Sequence, residues 1–209
     1  MKNREKILVS ATRLFNEMGV VNVRLQHISD DTIISLGNIA YHFKNKEAIV
    51  STIFETLEKK LKEALIEHRH TPIFANVDRI FSSIADIQQE YSFFFTDVIE
   101  IKRNYPSLFE KIFQFFKWQE FLFQEIIRFN VSRGAFLPME KEENVVFLSF
   151  FIVQSINVHP SVQLLWKNDE EEKVHLSSKV WKILLPYMTE IGKEEYEVLI
   201  NQKVKISNS

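Results

Sequence analysis

The stretch RLQHISDDTIISLGNIAYHF, residues 24–43, predicts two short helices joined by a tight bend. Ser35 can begin the second helix as its N-cap, because its hydroxyl can accept a hydrogen bond from a free backbone N–H of the first turn. Ile39 and Phe43 are four residues apart and therefore share one face of that helix. The opposite face carries Asn38, Tyr41 and His42. A short helix that is anchored by apolar side chains and presents polar ones is typical of a helix-turn-helix, which places such a helix in the major groove of DNA.

The chain around this motif resembles the DNA-binding domain of the TetR family of bacterial transcriptional repressors over residues 4–49. The most specific block is Tyr-His-Phe-Lys-Asn-Lys at residues 41–46, which follows Ser-x-Gly-Asn at residues 35–38. The other matching residues are Arg4, Ile7, Leu8, Ala11, Leu14, Phe15, Glu17, Gly19, Ile28 and Ile39. The resemblance implies an all-α protein with a three-helix DNA-binding head at residues 1–48. It also implies a helical ligand-binding and dimerisation body at residues 49–209.

The helix faces and the resemblance together predict which side chains contact DNA. Leu36 offers an apolar side chain, which should contact a thymine methyl group in preference to a guanine. Lys44 and Lys46 flank the start of the helix predicted to follow the motif. The free backbone N–H groups there favour a phosphate, and Asn45 is the predicted cap of that helix. His27 is either a surface side chain or a phosphate contact. The full predicted set is Arg24, Gln26, His27, Ser35, Leu36, Gly37, Asn38, Tyr41, His42, Lys44 and Lys46.

The motif departs from the family pattern at several positions. Ile33 stands where the family has glycine, and a β-branched residue resists the positive φ that glycine tolerates. The bend is therefore expected to take another geometry, or the first helix to extend by one residue. Ala40 replaces a common aromatic residue, and Val23 replaces a capping threonine, for which Asn22 is a possible substitute. The altered bend and the missing aromatic residue at position 40 leave open a second hypothesis, a helical small-molecule-binding protein whose head has lost DNA binding.

The composition limits the other classes of function. The chain has 209 residues, is 45% hydrophobic and carries a net charge of −2, so it is not a generally basic nucleic-acid binder. Residues 1–48 nevertheless hold seven Lys and Arg against five Asp and Glu, which makes the head mildly basic. The absence of cysteine excludes disulfides and thiolate catalysis and permits a reducing cytosol.

Several absences are also expected from the sequence. The six histidines are scattered, and His68 and His70 are two residues apart and point apart on a helix, so no metal site, no cofactor and no enzyme activity is predicted. The N-terminus lacks the apolar run of a signal peptide, so none is expected. The most apolar stretch, residues 145–153, is far shorter than the ~20 residues that span a bilayer. A cytoplasmic protein without membrane contact is therefore expected.

Hydrophobic periodicity and chain breakers predict helices along the rest of the chain. Proline at residue 160 is expected to end the eighth helix, as Pro72 separates the fourth from the fifth. The predicted helices outside the motif cover residues 4–18, 46–70, 74–89, 92–103, 106–132, 140–157, 170–188 and 194–203.

The body contains most of the 19 phenylalanines. Consecutive aromatic residues cannot share one helix face, so some must line a cavity or an interface; the alternative is an ordinary core. With the resemblance, this predicts a pocket for a lipophilic small molecule, lined in part by Phe94, Asp97, Glu100, Trp118, Gln119 and Gln154. The resemblance also implies a homodimer, which places two heads on an operator in double-stranded DNA. Its predicted face consists of Phe147, Phe150, Phe151, Val180, Trp181 and Leu184.

Overall fold

The structure is a computed structural model that describes residues 2–67, 71–166 and 175–207, with side chains described as far as residue 203. Its described part contains eleven α-helices and no β-strand, which confirms the predicted all-α class. The helices are α1 Asn3–Met18, α2 Leu25–Thr32, α3 Leu36–His42, α4 Lys46–Glu67, α5 Phe74–Glu90, α6 Phe93–Thr96, α7 Val98–Asn104, α8 Pro106–Ser132, α9 Glu142–Leu165, α10 Leu176–Leu184 and α11 Glu190–Ser207.

The chain forms two compact units. The first contains Met1–Leu61 and Ile87–Gln114, and the second contains Lys62–Asp86 and Phe115–Ser209. Helices α4, α5 and α8 each contribute residues to both units. The first unit therefore extends well beyond the predicted head, and the functional boundary at residue 48 stays a prediction.

Helix α1 ends at the glycine that the sequence indicates. Gly19 has φ +82°, and its N–H donates to the carbonyl of Phe15 at 2.9 Å. A residue without Cβ adopts this left-handed conformation without steric cost. The buried stripe of α1 consists of Ile7, Ala11, Leu14 and Phe15, as the helical spacing predicts.

Two predicted helices in the middle of the chain differ from the helices that form. The helix predicted at residues 92–103 is two helices, because the backbone breaks at Asp97, whose side chain binds elsewhere in the first unit. The helix predicted to end before Pro160 continues to Leu165. Proline removes a single N–H donor, and helical hydrogen bonding resumes after it: the N–H of Trp166 donates to the carbonyl of Val162 at 3.1 Å.

The C-terminal helices also differ from their predicted bounds. Helix α10 ends at Leu184 and is followed by a 3₁₀ turn, Leu185–Tyr187, that contains Pro186. The last helix is longer than predicted and begins at Glu190. The predicted helix start at residue 170, the end of α4 at residue 70, and His68 and His70 lie outside the described residues.

The extended α9 is long and apolar enough to cross a membrane by length and composition alone. The apolar stretch at residues 145–153 is shorter than this helix because Ser149 interrupts it and Gln154 follows it. In the chain, α9 packs on α10, and its buried side includes Leu148, Ile152 and Ile156. About 39% of the apolar window of α9 is buried within the chain, and its length and composition are only weak evidence for a membrane span.

A buried carboxylate joins three helices of the second unit. Oδ1 of Asp78 on α5 accepts hydrogen bonds from Oγ of Ser177 at 2.7 Å, Nε1 of Trp181 at 2.9 Å and Nζ of Lys203 at 2.6 Å. Trp181 is 1% exposed, and its ring contacts Phe74 and Phe81 with ring centroids 4.8 and 5.9 Å apart. Asp78 therefore lies at the centre of this core.

His159 on α9 should make the stability of the protein depend on pH. Burial, together with nearby Lys179 and His175, lowers the pKa of His159 from 6.5 to about 4. The folded protein then binds fewer protons than the unfolded chain between these values. The stability present above pH 6.5 should fall as the pH decreases towards 4, by at most about 3 kcal/mol.

Urea unfolding of wild type and His159→Phe across this pH range measures the effect. The difference in the free energy of unfolding between the two proteins should change with pH, because only wild type has the buried imidazole. Parallel pH profiles for the two proteins would contradict the prediction.

Candidate nucleic-acid interface

Helix α2 begins without the predicted cap. Asn22 does not cap it, because its Nδ2 donates to the carbonyl of Met18 at the end of α1, at 2.8 Å. Instead, the backbone N–H of Arg24 donates to Nδ1 of His27 at 3.2 Å. His27 is half-buried, whereas Arg24 is exposed. Nδ1 of His27 therefore accepts a hydrogen bond from within the motif, and the imidazole orients the start of α2.

The other end of α2 is tied to α1 by Asp31. Its carboxylate accepts a hydrogen bond from Oγ of Ser10 at 2.6 Å and pairs with the guanidinium of Arg13, which also pairs with Glu17. The side chain of Gln26 donates to Asp30 within α2 at 2.6 Å. The contacts of Asp31 with Ser10 and Arg13 were not predicted from the sequence, since no spacing pattern links residues 10, 13 and 31.

The bend keeps its left-handed geometry although it lacks glycine. Ile33 has φ 56° and ψ 35° and is 94% exposed, so the expectation of another geometry is wrong. The bend is held from both sides: the N–H of Ile34 donates to the carbonyl of Ser29 at 3.2 Å, and Oγ of Ser29 donates to the carbonyl of Ile34 at 2.7 Å. These bonds and the burial of Ile34 impose a conformation that Ile33 alone disfavours.

Replacing Ile33 with glycine should therefore raise the free energy of unfolding by about 1 kcal/mol. Relief of the left-handed strain exceeds the added entropy of glycine in the unfolded chain, and no buried contact is lost. Urea unfolding measures the change. The control is Ile34→Gly, which loses a buried side chain and should be less stable than wild type. A loss of stability in Ile33→Gly would show that the bend is not strained.

Helix α3 has the predicted orientation. Oγ of Ser35 accepts a hydrogen bond from the N–H of Asn38 at 3.3 Å, which confirms the N-cap. Ile39 and Phe43 are buried, which confirms the apolar face. Tyr41 is 85% exposed and Leu36 is 44% exposed. Gly37, Asn38 and Lys44 are also exposed, and His42 is half-buried with its ring 5.2 Å from that of Tyr41. The face predicted to contact DNA is accessible along the whole helix.

Lys46 makes hydrogen bonds inside the head, and its contact with a phosphate stays a prediction. Its Nζ donates to the carbonyls of Val20 at 2.7 Å and Val23 at 2.8 Å, which lie in the loop between α1 and α2. Burial lowers the pKa of Lys46. The ammonium is thus used inside the head, where it fixes the loop that precedes α2. The predicted cap of α4 is confirmed, because Oδ1 of Asn45 accepts a hydrogen bond from the N–H of Ala48 at 2.9 Å.

The predicted ligand-binding residues are divided between the two compact units. Phe94, Asp97 and Glu100 belong to the first unit, where Asp97 binds Val20 and Glu100 pairs with Arg103. Both carboxylates therefore have partners within the chain, and their contact with a ligand stays a prediction. Phe94 is packed between Phe54 and Phe93, with ring centroids 5.6 and 4.1 Å away.

The remaining ligand-binding predictions lie in the second unit. Trp118 stacks on Phe115 with centroids 5.7 Å apart, and buried Gln119 accepts a hydrogen bond from Asn157 at 3.2 Å. Gln154 is half-buried. A cavity of about 10 Å³ in this unit has room for about one water molecule. Its apolar lining includes Phe81, Phe123 and Trp181.

The predicted dimer face is only partly exposed. Val180, Trp181 and Leu184 on α10 are buried inside the chain, so their assignment to an interface is wrong. They belong to the core because α10 packs on α9. On α9, Phe147 is 63% exposed, and Phe150 and Phe151 are also exposed.

Comparisons with known proteins place this fold and motif in a family. A family model described as TetR, bacterial transcriptional repressor, matches residues 55–196, which is more than half of the chain. A curated relative, the HTH-type transcriptional regulator AcrR of Shigella flexneri, is 34% identical over 68 residues, or 32% of each protein. The matched region thus spans about a third of that relative.

Solved structures have the same fold. A TetR-family transcriptional regulator from Marinobacter aquaeolei VT8 superposes with a TM-score of 0.82 at 24% identity, over 97% of this chain and 98% of that one. A complex of SmeT with triclosan superposes with a TM-score of 0.62 at 18% identity, over 90% and 92% of the two chains.

The fold and the exposed, capped α3 define a DNA-binding protein of the helix-turn-helix class. The chain belongs to the TetR family of bacterial transcriptional regulators. The family match covers most of the body, whereas the sequence resemblance rests on residues 4–49 of the head.

Proposed function

We propose that the protein is a homodimeric transcriptional repressor that leaves its operator when a lipophilic small molecule binds to the body. The observation that carries the proposal is the geometry of α3, in which a Ser35 cap and two buried side chains hold Leu36, Asn38 and Tyr41 outwards. Contacts to phosphates position such a helix, and contacts to base edges specify the sequence.

The dimer part of the proposal rests on α9. One helix-turn-helix reads few bases, and two copies spaced by one turn of DNA, about 34–36 Å, supply the specificity. The exposed phenylalanines Phe147, Phe150 and Phe151 form an aromatic cluster, with ring centroids 4.5 and 5.7 Å from Phe151. A cluster of this kind is typical of an interface, because burying it removes apolar surface from water. The cytoplasm remains the predicted location.

The effector part rests on the aromatic interior of the second unit. The cavity there is too small for a drug-sized molecule, so binding has to open the packing around Phe81, Phe123 and Trp181. The SmeT complex shows that a protein of this fold binds triclosan, a lipophilic molecule. In the proposed mechanism the effector displaces α4, which contributes residues to both units. Effector and DNA must then weaken each other's binding by the same factor.

A mobility-shift experiment on fragments of bacterial genomic DNA tests DNA binding. The protein should shift specific fragments at low salt, and its affinity should fall steeply as salt increases, because phosphate contacts release counterions. The alternative function, a small-molecule-binding protein with an inactive head, predicts no shift at any salt concentration. The preserved bend at Ile33 removes one of the two sequence features that favoured this alternative.

Leu36 should determine one base of each half-site. Replacing Leu36 with lysine should change the preferred base at that position from thymine to guanine, because lysine donates to the guanine acceptors in the major groove. Selection from a randomised pool of duplexes measures the preference. The control is Val9→Lys, at an exposed position of α1. This substitution adds the same charge and should leave the base preference unchanged. The same selected sequence for Leu36→Lys and wild type would refute the assignment.

A further inference from the structure

Helix α1, which packs against α2 of the helix-turn-helix, is joined by Asn16 to a part of the chain that is distant in sequence. Its Nδ2 donates to the carbonyl of Glu90 at 2.8 Å. Its Oδ1 accepts hydrogen bonds from Oγ of Ser92 and from the N–H of Phe93, both at 3.1 Å. The amide thus caps the start of α6 from another helix, and only a side chain with both a donor and an acceptor can make all three bonds. The contact is closed by Phe15, whose ring lies 5.1 Å from that of Phe93.

Asp97, which lies between α6 and α7, makes a second contact of this kind. Its side chain does not cap α7; instead Oδ2 accepts a hydrogen bond from the N–H of Val20 at 2.6 Å. A Cβ at Gly19 would lie 3.3 Å from the same oxygen, so the close approach also depends on that glycine. A charged acceptor makes this a strong hydrogen bond.

These contacts hold the loop that leads into α2. The peptide groups at Val20 are bound from two directions, with the N–H held by Asp97 and the carbonyl held by Lys46. Residues 90–97 thereby contact both α1 and the loop before α2, although they follow the motif by about fifty residues in sequence. All of these residues belong to the first compact unit.

We propose that Asn16 and Asp97 are positioning residues for DNA binding, which make residues 90–97 part of the functional DNA-binding head. The inference rests on the proposed function and goes beyond it. Neither residue lies in α2 or α3. Their role is to fix the direction of the helix-turn-helix on the rest of the chain. A dimer distinguishes one half-site spacing from another only if each head is held firmly.

The test compares DNA affinity with spacing preference in the full-length chain. The probe is the duplex that wild type selects from a randomised pool, together with versions in which one base pair is inserted or removed between the half-sites. The variants are Asn16→Ala and Asp97→Ala, with Asp97→Asn as the conservative form that keeps an oxygen acceptor for Val20. The control is Asn104→Ala, which loses a similar amide-to-carbonyl bond, to Glu100 at 2.8 Å, but one confined to α7.

The two alanine variants should bind the selected duplex about tenfold more weakly than wild type. They should also lose most of the discrimination between half-site spacings. The side chains that contact DNA stay in place in these variants, but the orientation of the helix-turn-helix is no longer fixed. Asp97→Asn and Asn104→Ala should resemble wild type. Circular dichroism at the assay temperature should show native helicity for every variant that is compared.

Three results would contradict these expectations. An equal loss of affinity at every spacing would show that the residues act only through stability, and unchanged binding in both alanine variants would show that they have no role. Either result overturns the inference and leaves the proposed function standing. If wild type itself binds no duplex, the proposed function is wrong and the inference falls with it. Should Asn16→Ala fail to fold, Ser92→Ala replaces it, since it removes only the hydroxyl bond to Asn16.

Discussion

Replacing Asp78 with alanine should lower the free energy of unfolding by about 3 kcal/mol, enough to remove a large part of the stability of a typical domain. The carboxylate accepts from three donors on α10 and α11, and its side chain is 8% exposed. Without it, the buried indole N–H of Trp181 and the hydroxyl of Ser177 lose their acceptor. The ammonium of Lys203, which is 39% exposed, can still reach water, and this limits the loss.

Urea unfolding at one fixed protein concentration measures this effect. Asp86→Ala is the matched control, because Asp86 lies on the same helix and is exposed. A surface change of this kind should alter stability by no more than about 0.5 kcal/mol. Asp78→Asn should fall between the two, since the amide keeps an acceptor but loses the charge that pairs with Lys203. Equal stability of Asp78→Ala and Asp86→Ala would show that the buried cluster contributes little.

Replacing Phe147 and Phe151 together with glutamate should raise the dissociation constant of the dimer on the order of a hundredfold or more. Each change removes an aromatic side chain from the proposed interface and introduces a charge that would have to be desolvated. The symmetry of a dimer doubles the loss of association free energy, because each substitution occurs once in each protomer. Operator affinity should fall with dimerisation, since a monomer presents one head only.

Sedimentation at several protein concentrations measures the association. Phe121→Glu is the matched control, because Phe121 is 59% exposed but lies on α8. The control should remain a dimer with native helicity. A monomeric wild type at micromolar concentration would refute the dimer proposal. An unchanged dissociation constant in the double variant would place the interface elsewhere on the chain.

The head was predictable to a large extent because its signals are local. The N-cap of α3, the cap of α4 and the glycine after α1 each make a hydrogen bond to a group no more than four residues away. The same holds for the buried pair Ile39 and Phe43, since a helix fixes the direction of residues four positions apart. The residues that would touch DNA follow from these faces, and their contacts remain a prediction.

The body was less predictable because apolar residues suit both a core and an interface. Trp181 and Phe147 are both aromatic residues on amphipathic helices, yet one is buried and the other is exposed. Which of them faces outwards depends on how α10 packs against α9, and on the partner that Asp78 provides for the indole. Helix periodicity shows which side of a helix is apolar. It does not show whether another helix of the same chain or a partner chain covers that side.

The sequence by itself determined the all-α class, the helix-turn-helix and the side of α3 that is presented, because hydrogen bonds and side-chain spacing within one helical turn decide them. Only the tertiary structure decided that Lys46 points into the head, that Ile33 is held in a left-handed bend, and that Asp97 binds Val20. Each of these depends on groups brought together by packing of the whole unit. Asp97 and Val20 are 77 positions apart, and no local pattern records a contact across that distance.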